Sequence, residues 1–298
     1  MVESIQAYLK DNWLLAVSVP FYIFLIGLEV FLSNYQKRRY YTFKETLINL
    51  WLNIANTLLG LSIKGGVLVF LIWVLQFSFF DLQYNALYWI ALFLGVDLCF
   101  YIEHRSEHFS RFLWAVHVTH HSSQEFNLTT GFRSSVFRPF VSFWFFIPLV
   151  LLGFKPLDII LGDAICQIYG IMVHTRYIKK MPHWFELVFV SPSHHRVHHA
   201  SNIAYLDKNM GMVFIFWDRL FGTYQGEMDN EPVVFGLSKN PDNPHHPIGI
   251  IIHEWIALWK DITQHSIGIK NRLKYILYPP GWSHDGRSQT SKQMRKTK

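Results

Sequence analysis

Apolar residues run in long blocks along this chain, separated by short polar or glycine- and proline-containing breaks. The first block, Trp13 to Leu32, carries one charge, Glu29. As a helix it is long enough to cross a bilayer, which takes about 20 residues. Asn34 to Lys44 follows, with Lys37, Arg38, Arg39 and Lys44. Basic loops stay on the cytoplasmic side, so the N-terminus is expected to face outward. Glu3, Lys10 and Asp11 precede the block and no small-residue cleavage site follows it, which argues against a cleavable signal.

Thr42 to Ser62 is apolar too, yet Asn49, Asn53, Asn56 and Gly60 recur at i, i+4, i+7 and i+11. That is a polar stripe down one helix face, and it predicts a segment lying in the interface or packed on a partner rather than spanning. Gly65 to Phe80 and Asn85 to Ile102 are two further apolar runs around a polar break, Asp81 to Tyr84. If Thr42 to Ser62 does not span, the first of these runs outward and the second returns, bringing His104 to the cytoplasmic side. If it does span, His104 falls outside, against the positive charge of Arg133, Arg138, Arg176 and Lys179. The non-spanning arrangement is preferred.

Pro139 to Val173 holds two more runs, broken at Gly153 to Pro156, a hairpin that returns to its starting side and delivers His174 there. Ser191 and Pro192 open a helix as N-cap and first-turn proline. Beyond Ala200 the chain is loop-rich. Residues 248–278 read as one or two peripheral amphipathic helices, and the polar, basic tail from Ser283 as disordered. No Gly/Ser/Pro-rich linker divides the chain, so residues 1–282 are expected to form one membrane-embedded domain and residues 283–298 its tail.

Composition agrees with an all-α integral membrane fold. Hydrophobic residues make up 51% of the chain and charged residues 16%, where a soluble domain carries about 25% charged. The net charge of +6 sits mostly at Lys37 to Arg39, Arg176 to Lys180 and the tail, which points to anionic lipid headgroups and not to nucleic acid. Cys99 and Cys166, the two cysteines, lie inside apolar runs. They read as buried thiols, with neither a disulfide framework nor a thiolate metal site.

Histidine changes the picture most. His104 and His108 are four apart; His117, His120 and His121 form an HxxHH row; His194 precedes a second such row, His195, His198 and His199. Residues i, i+3 and i+4 share one helix face, so each row aims its imidazoles one way. Neutral imidazole is a common metal ligand, and the clustering predicts a metal site. Two dications among about nine neutral imidazoles leave roughly four positive charges, so anionic partners for the ligands' N–H groups are needed nearby. Asp97, seven residues before His104, shares its helix face and is the leading candidate. Glu103, Glu107, Asp207 and Asp218 are weaker ones. Iron is favoured over zinc, because inert C–H bonds in lipid chains require activated oxygen and a redox metal.

These boxes, HxxxH, HxxHH and HxxHH, resemble those of the fatty acid hydroxylase/sterol desaturase superfamily of membrane di-iron oxygenases. The flanking residues resemble its alkylglycerol monooxygenase branch: Asp97 to Arg105, Trp114 to Ser123, Asn127 to Thr130, Ser191 to His199, Asp207 to Asn209, Trp217 to Thr223 and Pro280 to Trp282. The resemblance covers about residues 90–240. It implies a transmembrane helical base carrying a cytosolic helical cap that holds two irons. The implied ligands are His104, His108, His117, His120, His121, His195, His198 and His199, joined by His174, and by His194 as ligand or outer partner. Asp97, Asn209 and Asp218 are implied as residues that orient the ligand rings. His183 and the histidines at 245, 246, 253, 265 and 284 read as surface. One position departs: Phe109 stands where the branch carries an acid, and the neighbouring acid here is Glu107.

The expected activity is O2-dependent hydroxylation of a membrane lipid, whether fatty acyl, alkyl-ether or sterol-like. The reductant is left open between an electron donor protein and a pterin such as tetrahydrobiopterin. A desaturase would use nearly the same residues. A metal transporter would place its ligands midway along membrane helices, whereas here they cluster at helix ends and in the segments that follow. A non-catalytic scaffold is disfavoured by intact boxes. The boxes are expected on the cytoplasmic face, in a bacterial inner membrane or an endoplasmic reticulum.

Overall fold

The computed structural model describes residues 13–241, 243–265 and 267–297; Glu3, Lys10 and Asp11 lie outside them. Helices account for the fold, with no strand among the described residues. The bridges Phe189 to Phe214 and Ala200 to Phe235 are isolated. Three helices are long and apolar enough to cross a membrane: α1 (Trp13–Tyr35), α2 (Phe43–Leu75) and α3 (Ala86–Phe109). Two shorter helices, α5 (Ser142–Leu151) and α6 (Pro156–Met172), pack beside α2 and α3. Their shared core is Leu71, Leu92, Val96, Phe146, Val150, Ile159 and Cys166.

The expected break between Thr42–Ser62 and Gly65–Phe80 is absent. One helix, α2, runs through both. Thr42 caps it, accepting from the Glu45 N–H. At 1.5 Å per residue its 33 residues span about 50 Å, well beyond a 30 Å hydrocarbon core. The predicted polar stripe explains the excess, because it packs on the rest of the chain. Asn49 donates to Thr129 Oγ1 at 3.1 Å and Asn56 to the Ser135 carbonyl at 2.5 Å, while Gly60 lies against Pro139.

The hairpin at Gly153 is as expected. Its φ is +99°, and a Cβ there would lie 2.1 Å from the Phe80 carbonyl oxygen. Phe79 donates to the Leu151 carbonyl at 2.7 Å and Lys155 to the Tyr88 hydroxyl at 3.1 Å, so the α2–α3 and α5–α6 turns meet at one end of the bundle. At the other end Asn127 Nδ2 donates to the Tyr40 carbonyl at 2.7 Å. The Lys37–Tyr40 turn therefore lies at the same end as the histidines.

Over that end sits a cap of short elements: α4 (Arg111–His121), α7 (His183–Val188), α8 (Pro192–His198), α9 (Phe216–Phe221), α10 (Pro247–Ile262) and α11 (Ile269–Leu277). The segment expected at the periphery is clamped to α4: Arg111 pairs with Glu254 at 2.7 Å and Asp261 at 2.6 Å, and Ile250 and Ile251 pack on Ile48 and Leu52 of α2. The tail differs from its expected disorder. It forms α12 (Ser291–Thr297), with the Ser291 hydroxyl on Asp207 and Arg295 donating to the Leu206 carbonyl at 2.7 Å. Composition predicts no core for such a tail, but a carboxylate and a carbonyl of the cap give its polar groups partners.

Candidate metal centre

Four parts of the chain bring the predicted histidines together. His104 and His108 come from the last turns of α3, His117, His120 and His121 from α4, His174 from just beyond α6, and His195, His198 and His199 from α8 and its C-cap. Ser191 starts α8 as expected, its hydroxyl accepting from the His194 N–H with Pro192 behind it. Nine imidazoles fall into two groups: His104, His108, His117, His121 and His198 in one, and His120, His174, His195 and His199 in the other. The HxxHH rows are split between them, so each row serves both groups.

The Nε2 atoms converge. In the first group His117 Nε2 lies 3.0 Å from those of His104 and His121, and the buried Nε2 atoms of His108 and His198 have no protein partner. In the second, His174 Nε2 lies 2.9 Å from His195, 3.2 Å from His199 and 3.3 Å from His120. Metal–nitrogen bonds of about 2.1 Å put neighbouring ligand nitrogens about 3 Å apart, so both groups fit a cation. Burial holds His117, His121, His195, His198 and His199 well below their ordinary pKa and brings His174 down to about 4, which keeps the lone pairs free.

In six of the nine rings the opposite nitrogen is committed elsewhere, as tuned ligands require. His104 Nδ1 bonds the Met210 carbonyl at 2.8 Å, His198 Nδ1 the Lys208 carbonyl at 2.9 Å, and His108 Nδ1 Asp207 Oδ1 at 3.1 Å. One loop, 207–210, thus orients three rings. Glu107 takes His117 Nδ1 at 2.8 Å. In the second group the Arg133 carbonyl meets His120 Nδ1 at 3.0 Å and the Gly170 carbonyl His174 Nδ1 at 2.7 Å. Asp207 stays below the ordinary carboxylate range although burial opposes this, because His108 and Ser291 bond it. Gly131 allows the fit over His174, where a Cβ would lie 3.1 Å from Nδ1.

Three expected partners act one step further out. Asp97, buried as predicted, touches no histidine: it accepts from the Val213 and Phe214 N–H groups at 3.0 and 3.2 Å and from the Trp217 indole at 3.0 Å. Asp218 accepts from the Met210 and Gly211 N–H groups at 2.7 and 2.8 Å and from the Thr223 hydroxyl. Asn209, at φ +56°, donates to the His194 and Gln225 carbonyls. Asn209 and Asp218 brace the loop whose carbonyls hold the rings, and Asp97 holds the segment that follows it. His194 belongs to neither group. Its Nδ1 accepts from the Ser191 N–H at 3.2 Å, and Nε2 faces Glu186 at 3.9 Å, so helix capping has claimed its ring. His183 is exposed, whereas His245, expected on the surface, pairs with the buried Glu45 at 2.9 Å.

Acid should loosen this arrangement. A buried histidine with a depressed folded-state pKa takes its proton in the unfolded chain first, near 6.5, so stability present above 6.5 is lost as pH falls toward about 4 for His174. Each such group adds up to about 1.4 kcal/mol per pH unit. Melting of the metal-free protein in detergent is expected to shift downward steeply between pH 6.5 and 4. A flat profile there would contradict neutral, buried imidazoles.

With the geometry in place, comparison with known proteins is informative. The sequence profile of the fatty acid hydroxylase family matches residues 89–223, which contain all nine clustered histidines and the bracing loop. Over this stretch the chain resembles the fatty acid hydroxylase family. Over most of its length it resembles alkylglycerol monooxygenases. It is 32% identical to human alkylglycerol monooxygenase over 284 residues, 94% of this chain and 61% of that protein. The zebrafish protein of that name is also 32% identical, with 95% of this chain and 61% of that protein covered. Ornithine lipid hydroxylase OlsE of Rhizobium tropici is 29% identical over 64% of this chain and 60% of its own. The chain thus spans 55–61% of the length of the alkylglycerol monooxygenases it matches. No solved structure matches it.

Proposed function

We propose that this protein is an O2-dependent di-iron oxygenase that hydroxylates a C–H bond in the hydrocarbon part of a membrane lipid. One observation carries the reading. A cavity of about 60 Å3 is lined by His104 and His117 of the first group and by His120, His174 and His195 of the second, together with Phe100, Val116, Ile171 and Met212. It lies where helices fit to cross a membrane meet the cap. The relatives' names, alkylglycerol monooxygenase and ornithine lipid hydroxylase, support a lipid substrate.

In the balanced reaction R–H, O2, two electrons and two protons give R–OH and water, the electrons coming from a pterin or a donor protein. Two irons in the two histidine groups would supply the redox chemistry that activates O2. The chain's own residues do the rest. Carbonyls of Arg133, Gly170, Lys208 and Met210 and carboxylates of Glu107 and Asp207 hold six rings in register. Phe100, Val116, Ile171 and Met212 keep the cavity apolar beside the histidines. Incubation of iron-loaded protein with a lipid extract, reductant and 18O2 is expected to place one labelled oxygen in a lipid product. A desaturated product without label would make it a desaturase, and no product under any reductant would leave a metal-binding scaffold.

We also place the histidine end on the cytoplasmic face, because Lys37, Arg38, Arg39, Arg176, Lys179 and Lys180 gather there. Cysteines introduced at Lys37 and Arg105 are expected to label from the same side, and labelling from opposite sides would refute the topology.

A further inference from the structure

A second cleft, of about 590 Å3, lies beside the cap, and none of the nine clustered histidines lines it. Small-molecule sites run to about 300–1,000 Å3, so the space is of ligand size. Arg176, Lys179 and Lys180, from the segment after His174, line it together with Tyr40 and Phe235. Its depth follows from one contact. Glu29, in the last two turns of α1, accepts from the Thr175 hydroxyl. Arg176 therefore stands near the end of a helix fit to cross a membrane, where hydrocarbon gives way to headgroups.

Two of the cleft's cations are idle. Arg196 is fully used: Nε and Nη2 donate to Glu227 at 3.2 and 2.7 Å, and Nη1 donates to the Thr175 and Ile178 carbonyls at 3.1 and 2.6 Å. Lys180 pairs with Asp229 at 3.0 Å. Among the described residues, Arg176 and Lys179 pair with no carboxylate, and both are exposed. The Arg176 guanidinium is nonetheless held against two rings, its carbon 4.3 Å from the Tyr40 centroid and 5.5 Å from that of Phe235. Phe235 is itself backed by buried Phe126, stacked on it at 4.8 Å. A guanidinium stacked on rings keeps the donors at its edge free, and that edge matches an oxyanion two bonds at a time.

Charge and lining choose the ligand. Arg176, Lys179, Lys180 and Arg196 against Glu227 and Asp229 leave two positive charges. A phosphate monoester carries about 1.5 to 2 negative charges at pH 7 and balances them, whereas the ammonium of a zwitterionic headgroup would be repelled. Met228, Pro232 and Val233 add apolar surface that a bare phosphate would leave uncovered. A glycerol backbone and the first methylenes of its chains would cover it.

We propose that this cleft is a phosphate-binding site for the headgroup of an anionic glycerophospholipid, with Arg176 and Lys179 as its free donors. The site is separate from the histidine cavity and stands without the hydroxylase reading. Detergent-purified protein is incubated with equal amounts of dioleoyl phosphatidic acid and dioleoyl phosphatidylcholine, or with glycerol 3-phosphate alone, and bound molecules are counted by native mass spectrometry. Phosphatidic acid is expected to be retained about 10-fold over phosphatidylcholine, the weight of one hydrogen bond between charged partners, and glycerol 3-phosphate only weakly. Arg176→Gln/Lys179→Gln is expected to keep its circular dichroism spectrum and lose the preference. Lys37→Gln/Arg39→Gln, which removes the same charge from the neighbouring turn outside the cleft, is expected to retain it. Equal loss in both variants would reduce the effect to general surface charge and overturn the site. An unchanged preference in the first variant, or equal retention of the two lipids by wild type, would overturn it too. Glycerol 3-phosphate held as well as phosphatidic acid would assign the cleft to a soluble phosphate ester and overturn the lipid assignment.

Discussion

His120→Ala/His198→Ala is expected to release metal from both groups at once. The two residues sit in different groups, and each offers Nε2 toward its centre: that of half-buried His120 lies 3.3 Å from His174, and that of buried His198 has no protein partner. Outer partners of metal ligands change affinity about 10–100-fold when removed, and deleting a ligand itself costs more. The variant should therefore be purified with less than a tenth of the wild-type metal. Overall helicity should persist, since the core around Leu92, Val96 and Val150 lies away from both side chains. Elemental analysis beside circular dichroism checks this. Full metal content in the double variant would show that the histidine groups are not the metal's site.

Asp218→Ala should produce the largest effect of any substitution that touches no histidine. Its carboxylate is fully buried and takes three donors, the Met210 and Gly211 N–H groups and the Thr223 hydroxyl. Removing it leaves those donors unpaired at about 1–3 kcal/mol each, a sizeable part of a stability of about 5–15 kcal/mol. The loop would also release the Met210 and Lys208 carbonyls from His104 and His198. A lower melting temperature together with about 10–100-fold weaker metal binding is expected. A drop in melting temperature with metal affinity unchanged would mean that the loop braces the fold but not the rings.

The clustering of the histidines is legible because helix periodicity alone aligns His104 with His108 and the HxxHH rows. What the period cannot express is pairing between helices. It does not tell that His120 and His121, adjacent in the chain, serve different groups. Asp97 shows the same limit: its helix face follows from the seven-residue spacing, but its partners, Val213, Phe214 and Trp217, are brought by a distant loop. The carbonyls of Arg133, Gly170, Lys208 and Met210 leave no mark in a sequence, since every residue carries one. The nearest signal is the Asp207–Lys208–Asn209 triplet, whose two Asx residues take φ +54° and +56°, a conformation those residues tolerate.

The membrane part was read correctly by block and wrongly by boundary. Nothing in Ser62 to Gly66 forces a stop, and two glycines cost only about 1 kcal/mol each in a helix. Packing of α2 on α5 and α6 carries the helix through. His194 and His195 are neighbours in the sequence, but one residue turns a helix by about a quarter circle, and the His194 ring accepts from the Ser191 N–H.

The most direct test of the account is the metal stoichiometry of iron-loaded, detergent-purified protein, by elemental analysis with Mössbauer spectroscopy. Two irons per chain in nitrogen-rich sites, lost together in His120→Ala/His198→Ala, is the predicted result. A single iron, or zinc held alone while iron fails to bind, would contradict it.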